Sequence, residues 1–155
     1  MRPDHCFAFE ADFTADLRCI PMAVRRKLDL AGVKLKLVHW NGLGADERQR
    51  LLAWGDAPEA IDDLRRWLLE RSRALPQGPA GTLEPATGCD WQQGEVLPER
   101  LRQSCDQLGL RLRPGFWESL SELERFALVK LSHPGHEHRN LPRAVEEFAL
   151  LAPPP

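Results

Sequence analysis

Shifted against itself by 77 residues, this chain matches in one ungapped register. Pro21, Arg25, Asp29, Gly32, Leu35, Trp40, Leu43, Glu47, Arg48 and Leu51 fall on Pro98, Arg102, Asp106, Gly109, Leu112, Trp117, Leu120, Glu124, Arg125 and Leu128. Val33 with Leu110, Lys34 with Arg111 and Lys36 with Arg113 extend the match conservatively. No local pattern restricts the fold as strongly, because both copies must build the same small unit. Each copy reads as a proline-started helix, a glycine stop, a short extended run, a tryptophan and a second helix. Internal duplication therefore predicts a mainly α protein: two side-by-side repeats of about three helices each, sharing one core, with little or no strand.

The first repeat unit spans about 17–73. In the lead-in before it, Phe7, Phe9 and Phe13 alternate with small and acidic residues, an extended approach passing into a short helix that ends near Cys19. Pro21 suits a first helical turn, Ile20, Val24, Leu28 and Ala31 recur at helical spacing, and Gly32 is the stop. Arg25, Arg26 and Lys27 lie on the opposite face. Lys34 and Lys36 then alternate with Val33, Leu35 and Leu37 in a short extended segment that Trp40 closes as a core anchor. The run ADERQRLLA, Ala45 to Ala53, is a brief helix with acids first and arginines later, the order its dipole favours. Asp56, with Glu59 three residues on, caps the next helix, whose stripe of Ile61, Leu64 and Leu68 carries it to about Arg73.

A Pro/Gly-rich stretch at about 74–97 reads as a linker or a long surface loop tacked down by Cys89 and Trp91. The second repeat unit spans about 98–151. Ser121 and Glu124 form a capping box for a helix through Phe126, Leu128 and Leu131. After the loop SHPGHEHRN, a last helix from Leu141 to about Leu151 buries Leu141, Val145, Phe148 and Leu151, and a disordered tail is expected at 152–155. With 155 residues and 43% hydrophobic content, all of this fits a single domain, 1–155.

Charge and cysteine usage limit the function classes. The 21 Lys and Arg against 23 Asp and Glu remove the whole-chain attraction of a nucleic-acid binder, so no nucleic-acid partner is expected. The start MRPDHCFAFEADF has no apolar run of signal-peptide length, and no later run is long and charge-free enough for a bilayer. A cytoplasmic protein with no membrane partner is the expectation. Cys6, Cys19, Cys89 and Cys105 are scattered singly without a CxxC pair, which predicts reduced, mostly buried thiols and no resident metal or other cofactor.

Two blocks, FAFEADFTADLRCIPMAVRRKLDLAGVKLKLVHW and SLSELERFALVKLSHPGHEHRNLPRAVEEF, resemble the nitrate reductase-associated protein family, found mostly in cyanobacteria. The resemblance covers about two thirds of the chain, with both blocks in the same order. It implies a small cytoplasmic accessory protein for the assimilatory molybdenum-containing nitrate reductase, needed for its activity and not one of its catalytic subunits. No active site comes with it. The matching residues are Arg18, Cys19, Pro21, Arg25, Lys27, Gly32 and Trp40 in front, with Arg125, Lys130, His136, Glu137, Arg139 and Asn140 behind.

Between Arg18 and Arg50 lie eight Lys or Arg residues against three acids, a concentration suited to an acidic protein partner or to the phosphates of a pterin dinucleotide. The same run also suits a merely solvated helix face. With the resemblance, Arg18, Arg25, Arg26, Lys27, Lys34, Lys36, Arg48, Arg125, His136, Glu137, Arg139 and Asn140 are the expected contacts to the nitrate reductase polypeptide. Arg26 and Lys27 stand out because the second copy replaces them with Gln103 and Ser104. Two other readings use other residues. His133, His136, Glu137 and His138 with Cys19 suggest a small metal-dependent enzyme or metal carrier, and the short helix pairs suggest a helical nucleic-acid-binding module.

Overall fold

The structure, a computed structural model, describes residues 6–133 and 137–153, and for Glu137 and His138 the backbone alone. The chain divides into two compact units at Thr87 and Gly88. Both are built mainly from α-helix, with one two-stranded ribbon of two residues a strand among the described residues.

Unit 1 opens with a 3-10 turn at Ala8–Glu10 and the short helix α1 (Ala11–Ala15), which ends before Cys19. Phe7 and Phe9 are buried and stack on each other, pinning this lead-in. Helix α2 (Met22–Ala31) follows with Pro21 just outside it as the cap, and Gly32 ends it in the left-handed conformation, φ 72°. The extended run after Gly32 is shorter than expected. Strand β1 (Val33–Lys34) gives way at Leu37 to a helix the pattern does not predict, α3 (Leu37–Gly42). The imidazole of His39 turns the chain there by accepting the Lys36 amide at 3.1 Å.

Helix α4 (Ala45–Ala53) has the predicted bounds. Helix α5 (Pro58–Arg73) has Ala57 at its cap and Pro58 in its first turn; Asp56, the expected cap, instead receives Arg26 at 3.1 Å. Ile61, Leu64 and Leu68 do face inward, joining Ile20, Val24, Leu28, Trp40 and Leu51 in the core. The first half of the Pro/Gly-rich stretch belongs to this unit, where β2 (Gly81–Thr82) pairs antiparallel with β1, Val33 opposite Thr82.

Unit 2 begins in the other half of that stretch. A 3-10 turn at Asp90–Gln92 buries Trp91, whose ring meets Phe126 edge-on at 5.1 Å. Helix α6 (Glu99–Gln107) follows Pro98, and Gly109 turns the chain with φ 70°. Residues 114–119 form turns where unit 1 has α3. Helix α7 (Glu122–Leu131) carries the predicted capping box, Glu124 N–H on Ser121 Oγ at 3.2 Å and Ser121 N–H on Glu124 Oε1 at 2.9 Å.

A turn at Glu137–Asn140 leads into α8 (Leu141–Glu147), which is shorter than predicted. Ala149 at φ 57° breaks it, so that Leu150 is fully buried while Leu151 is 46% exposed and bridges to Leu112. Residues 77 apart share local geometry across the two units. Gly32 and Gly109 bond Asp29 and Asp106 through their amides, and Trp40 and Trp117 are both buried.

Candidate partner-binding surface

The basic residues between Arg18 and Arg50 do not form one surface. Lys27 has no exposed area, and its Nζ donates to the Leu51 and Leu52 carbonyls at 3.1 and 2.6 Å. Those carbonyls belong to the last turn of α4, where a helix leaves acceptors without intrahelical donors and its dipole is negative. Seventy-seven residues on, Ser104 does the same for α7, donating to the Ser132 carbonyl at 2.9 Å. Lys27 and Ser104 therefore differ in charge but not in task. Arg26, 7% exposed, is tied to Asp56. Arg26 and Lys27, expected to present charge to a partner, are buried side chains.

Arg48 and Arg125, also on the expected list, hold backbone. Arg48 donates to the Leu43 carbonyl. Arg125 donates to its counterpart Leu120 at 2.6 Å and to Trp91 at 3.0 Å, tying the 3-10 turn of unit 2 to α7. Arg18 pairs with Asp16 at 3.2 Å and lies over the Phe13 ring. Arg25 is half-buried against the Met22 sulfur. In the back block, Arg139 is exposed and Asn140 half-buried. His136 and the side chains of Glu137 and His138 lie outside the described residues. His133 Nδ1 is 2.6 Å from an Arg100 guanidinium nitrogen, and among the described residues no three metal-ligating side chains converge.

Of the expected basic contacts between Arg18 and Arg50, Lys34 and Lys36 are left. Both are exposed, and neither ammonium has an ion-pair partner among the described residues. Directly after them Leu37 and Val38 are 38% and 51% exposed, two large apolar side chains in the first turn of α3. The mounting beneath is rigid. Val33 is buried in the ribbon, and His39, 2% exposed, bridges the Lys36 amide and the Gly78 carbonyl, the latter at 3.0 Å. Those two bonds require the tautomer with hydrogen on Nε2. An edge of two ammoniums beside two exposed aliphatic side chains, fixed from below, suits a protein surface that is apolar and acidic. Sequence reasoning included Lys34 and Lys36 but missed Leu37 and Val38, because an alternating strand would have turned Leu37 inward.

Sequence reasoning also missed a cleft of about 550 Å³ in unit 2, walled by Leu97, Cys105, Leu110 and Phe116 and rimmed by Arg111 and Arg113. Cys105 is the buried cysteine; Cys6, Cys19 and Cys89 are half-buried, so the thiols are less deeply placed than their scatter suggests. Burial first, and the neighbouring Asp106 second, push the Cys105 thiol up to about 11, which favours its protonated form near neutrality.

Among the described residues no helix is long and apolar enough to cross a membrane. No curated protein and no solved structure matches the chain. The model of one family, described as conserved nitrate reductase-associated protein, matches residues 6–148, nearly the whole of both units, and the chain belongs to that family.

Proposed function

We propose that the chain is a non-catalytic accessory protein that binds the nitrate reductase polypeptide and supports its maturation or activation, with the edge from Lys34 to Val38 as its contact. The family ties the chain to nitrate reductase by association. The observation that carries the rest of the reading is that edge: exposed charge without an ion-pair partner among the described residues, beside exposed Leu37 and Val38. A non-catalytic role is supported by how the chain uses its inward-facing reactive groups. Both ring nitrogens of His39 are engaged by backbone, and the Cys105 thiol is held protonated.

The test has two arms. Purified chain is expected to capture apo-reductase of the assimilatory, molybdenum-containing type, and deletion of its gene is expected to lower reductase activity in cells. Failure of capture together with intact activity in the deletion strain would end the proposal.

A further inference from the structure

The two units differ around the glycines that follow α2 and α6. In unit 1 the ground around Gly32 is occupied: a Cβ there would run into the Leu83 carbonyl and the Arg65 guanidinium and would touch Pro85. The chain's own segment Leu83-Glu84-Pro85-Ala86 lies across the end of α2 as an added extended piece. Its Leu83 amide donates to the Gly32 carbonyl at 2.8 Å and its Ala86 amide to the Asp29 carbonyl at 2.9 Å. In unit 2 no described residue fills the matching ground. Among the described residues, a Cβ at Gly109 meets nothing within 4 Å and no donor reaches the Gly109 carbonyl. The strand-like residues 150–152 pair only further along, Arg113 N–H on Leu150 at 2.9 Å and Ala152 N–H on Arg111 at 2.7 Å.

The cleft of unit 2 lies next to this place, with Asp106 and Leu110, on either side of Gly109, in its lining. Its walls Leu97 and Leu110, half-buried, stand 77 residues after Ile20 and Val33, which in unit 1 are buried, while Cys105 is buried like its counterpart Leu28. Of its arginines, Arg102 is held by Glu99 and Asp106, and Arg113 by the Ala149 carbonyl and Ser119. Arg111 is exposed and has no ion-pair partner among the described residues.

We infer that this cleft is a docking site for an extended segment of a partner polypeptide, apolar with one carboxylate, laid beside Gly109 as Leu83 to Ala86 lie beside Gly32. Backbone amides of the incoming segment bond the Gly109 and Asp106 carbonyls, its aliphatic side chains enter the apolar cleft, and its carboxylate meets Arg111. Main-chain bonds then supply affinity and the side-chain pattern supplies choice. The site is on a different unit from the Lys34 edge, so either reading stands or falls without the other.

The experiment titrates the intact, isotope-labelled chain with a synthetic peptide of residues 79–88, PAGTLEPATG, and follows backbone amide shifts. Saturable shifts at Gly109, Leu110 and Arg111 are expected. Arg111→Glu is expected to weaken binding roughly tenfold, as a rim charge turned repulsive does, and a peptide with its Glu changed to Lys is expected to recover on that variant. Arg143→Glu, an exposed change on α8, controls for net charge, and circular dichroism confirms that both variants are folded. Three results would each overturn the inference: no shifts at Gly109 to Arg111, shifts confined to Gly32 and Leu83 in unit 1, or equal affinity for chain and Arg111→Glu.

Discussion

Lys27 brings a charge into a core and gives its ammonium to the end of a helix. Replacing it with methionine keeps the aliphatic stem but takes the charged donor from the Leu52 carbonyl and leaves the Leu51 carbonyl with the Trp54 amide. Lys27→Met is expected to destabilise the protein by about 2–3 kcal/mol, the cost of losing a charged hydrogen-bond donor, against about 1 kcal/mol for Ser104→Ala, which loses one neutral bond. Urea unfolding of both variants measures the difference, and equal losses would refute the helix-end role of Lys27. The tryptophans give a second comparison between matched positions. Trp117 Nε1 donates to the Gln93 carbonyl at 2.8 Å, whereas Trp40 Nε1 is buried with no acceptor among the described residues. Both rings fill core, so phenylalanine costs volume at either site. Only at position 117 does it also break a bond, and Trp117→Phe should exceed Trp40→Phe by about 1 kcal/mol in the same assay.

At the level of elements, the glycine stops of α2 and α6 have the same backbone and different surroundings. An alanine at φ near +70° is strained by about 1 kcal/mol wherever it sits. Gly109→Ala should cost little more than that, while Gly32→Ala must also displace Leu83 and Arg65 and is expected to cost several times as much in unfolding free energy. Comparable losses would mean that the Leu83 to Ala86 segment does not hold its place. Helices α4 and α5 are joined by Glu47, which takes Arg71 Nε and Nη2 at 2.5 and 3.0 Å. The Arg71 hydrogen bond first, and the Gly44 amide second, hold the Glu47 carboxyl below its ordinary 4.5. A carboxyl whose pKa is lowered by folding contributes stability that is complete above the unfolded value and is lost as pH falls through the folded one. The stability gap between the native chain and Glu47→Gln should be widest near neutrality and close below about pH 4.5. A gap that stays constant down to pH 3 would refute the link. Elements set by neighbours in sequence were legible beforehand: α4 from its acids-first order, α7 from Ser121 and Glu124, the stops from Gly32 and Gly109. Those set by distant partners were not. Helix α3 depends on His39 reaching Gly78, and Asp56 looks like a cap until Arg26, 30 residues earlier, takes its carboxylate.

On the scale of the whole molecule, a net charge of −2 hides how the positive groups are used. Charge reads from a sequence as a run, but a run does not tell depth. Lys27 and Lys34 are seven residues apart and look interchangeable, yet one is sealed under α4 and the other stands in solvent. Depth decides what charge reversal does. Arg26→Glu with Lys27→Glu places carboxylates against Asp56 and against helix-end carbonyls, so it should unfold unit 1 and lose partner binding only for that reason. Lys34→Glu with Lys36→Glu changes two exposed side chains without ion-pair partners among the described residues, and the melting temperature should hardly move. If the edge from Lys34 to Val38 is the contact with nitrate reductase, capture of the apo-enzyme by this second, folded variant should fall by an order of magnitude or more, because rim charges turned against an acidic surface repel it. The loss should be larger in low salt than in high, since exposed charges are screened. Arg143→Glu, equally exposed, should bind as the native chain does. Undiminished capture by the Lys34→Glu, Lys36→Glu variant would place the contact elsewhere, and a test of Arg139 would come next.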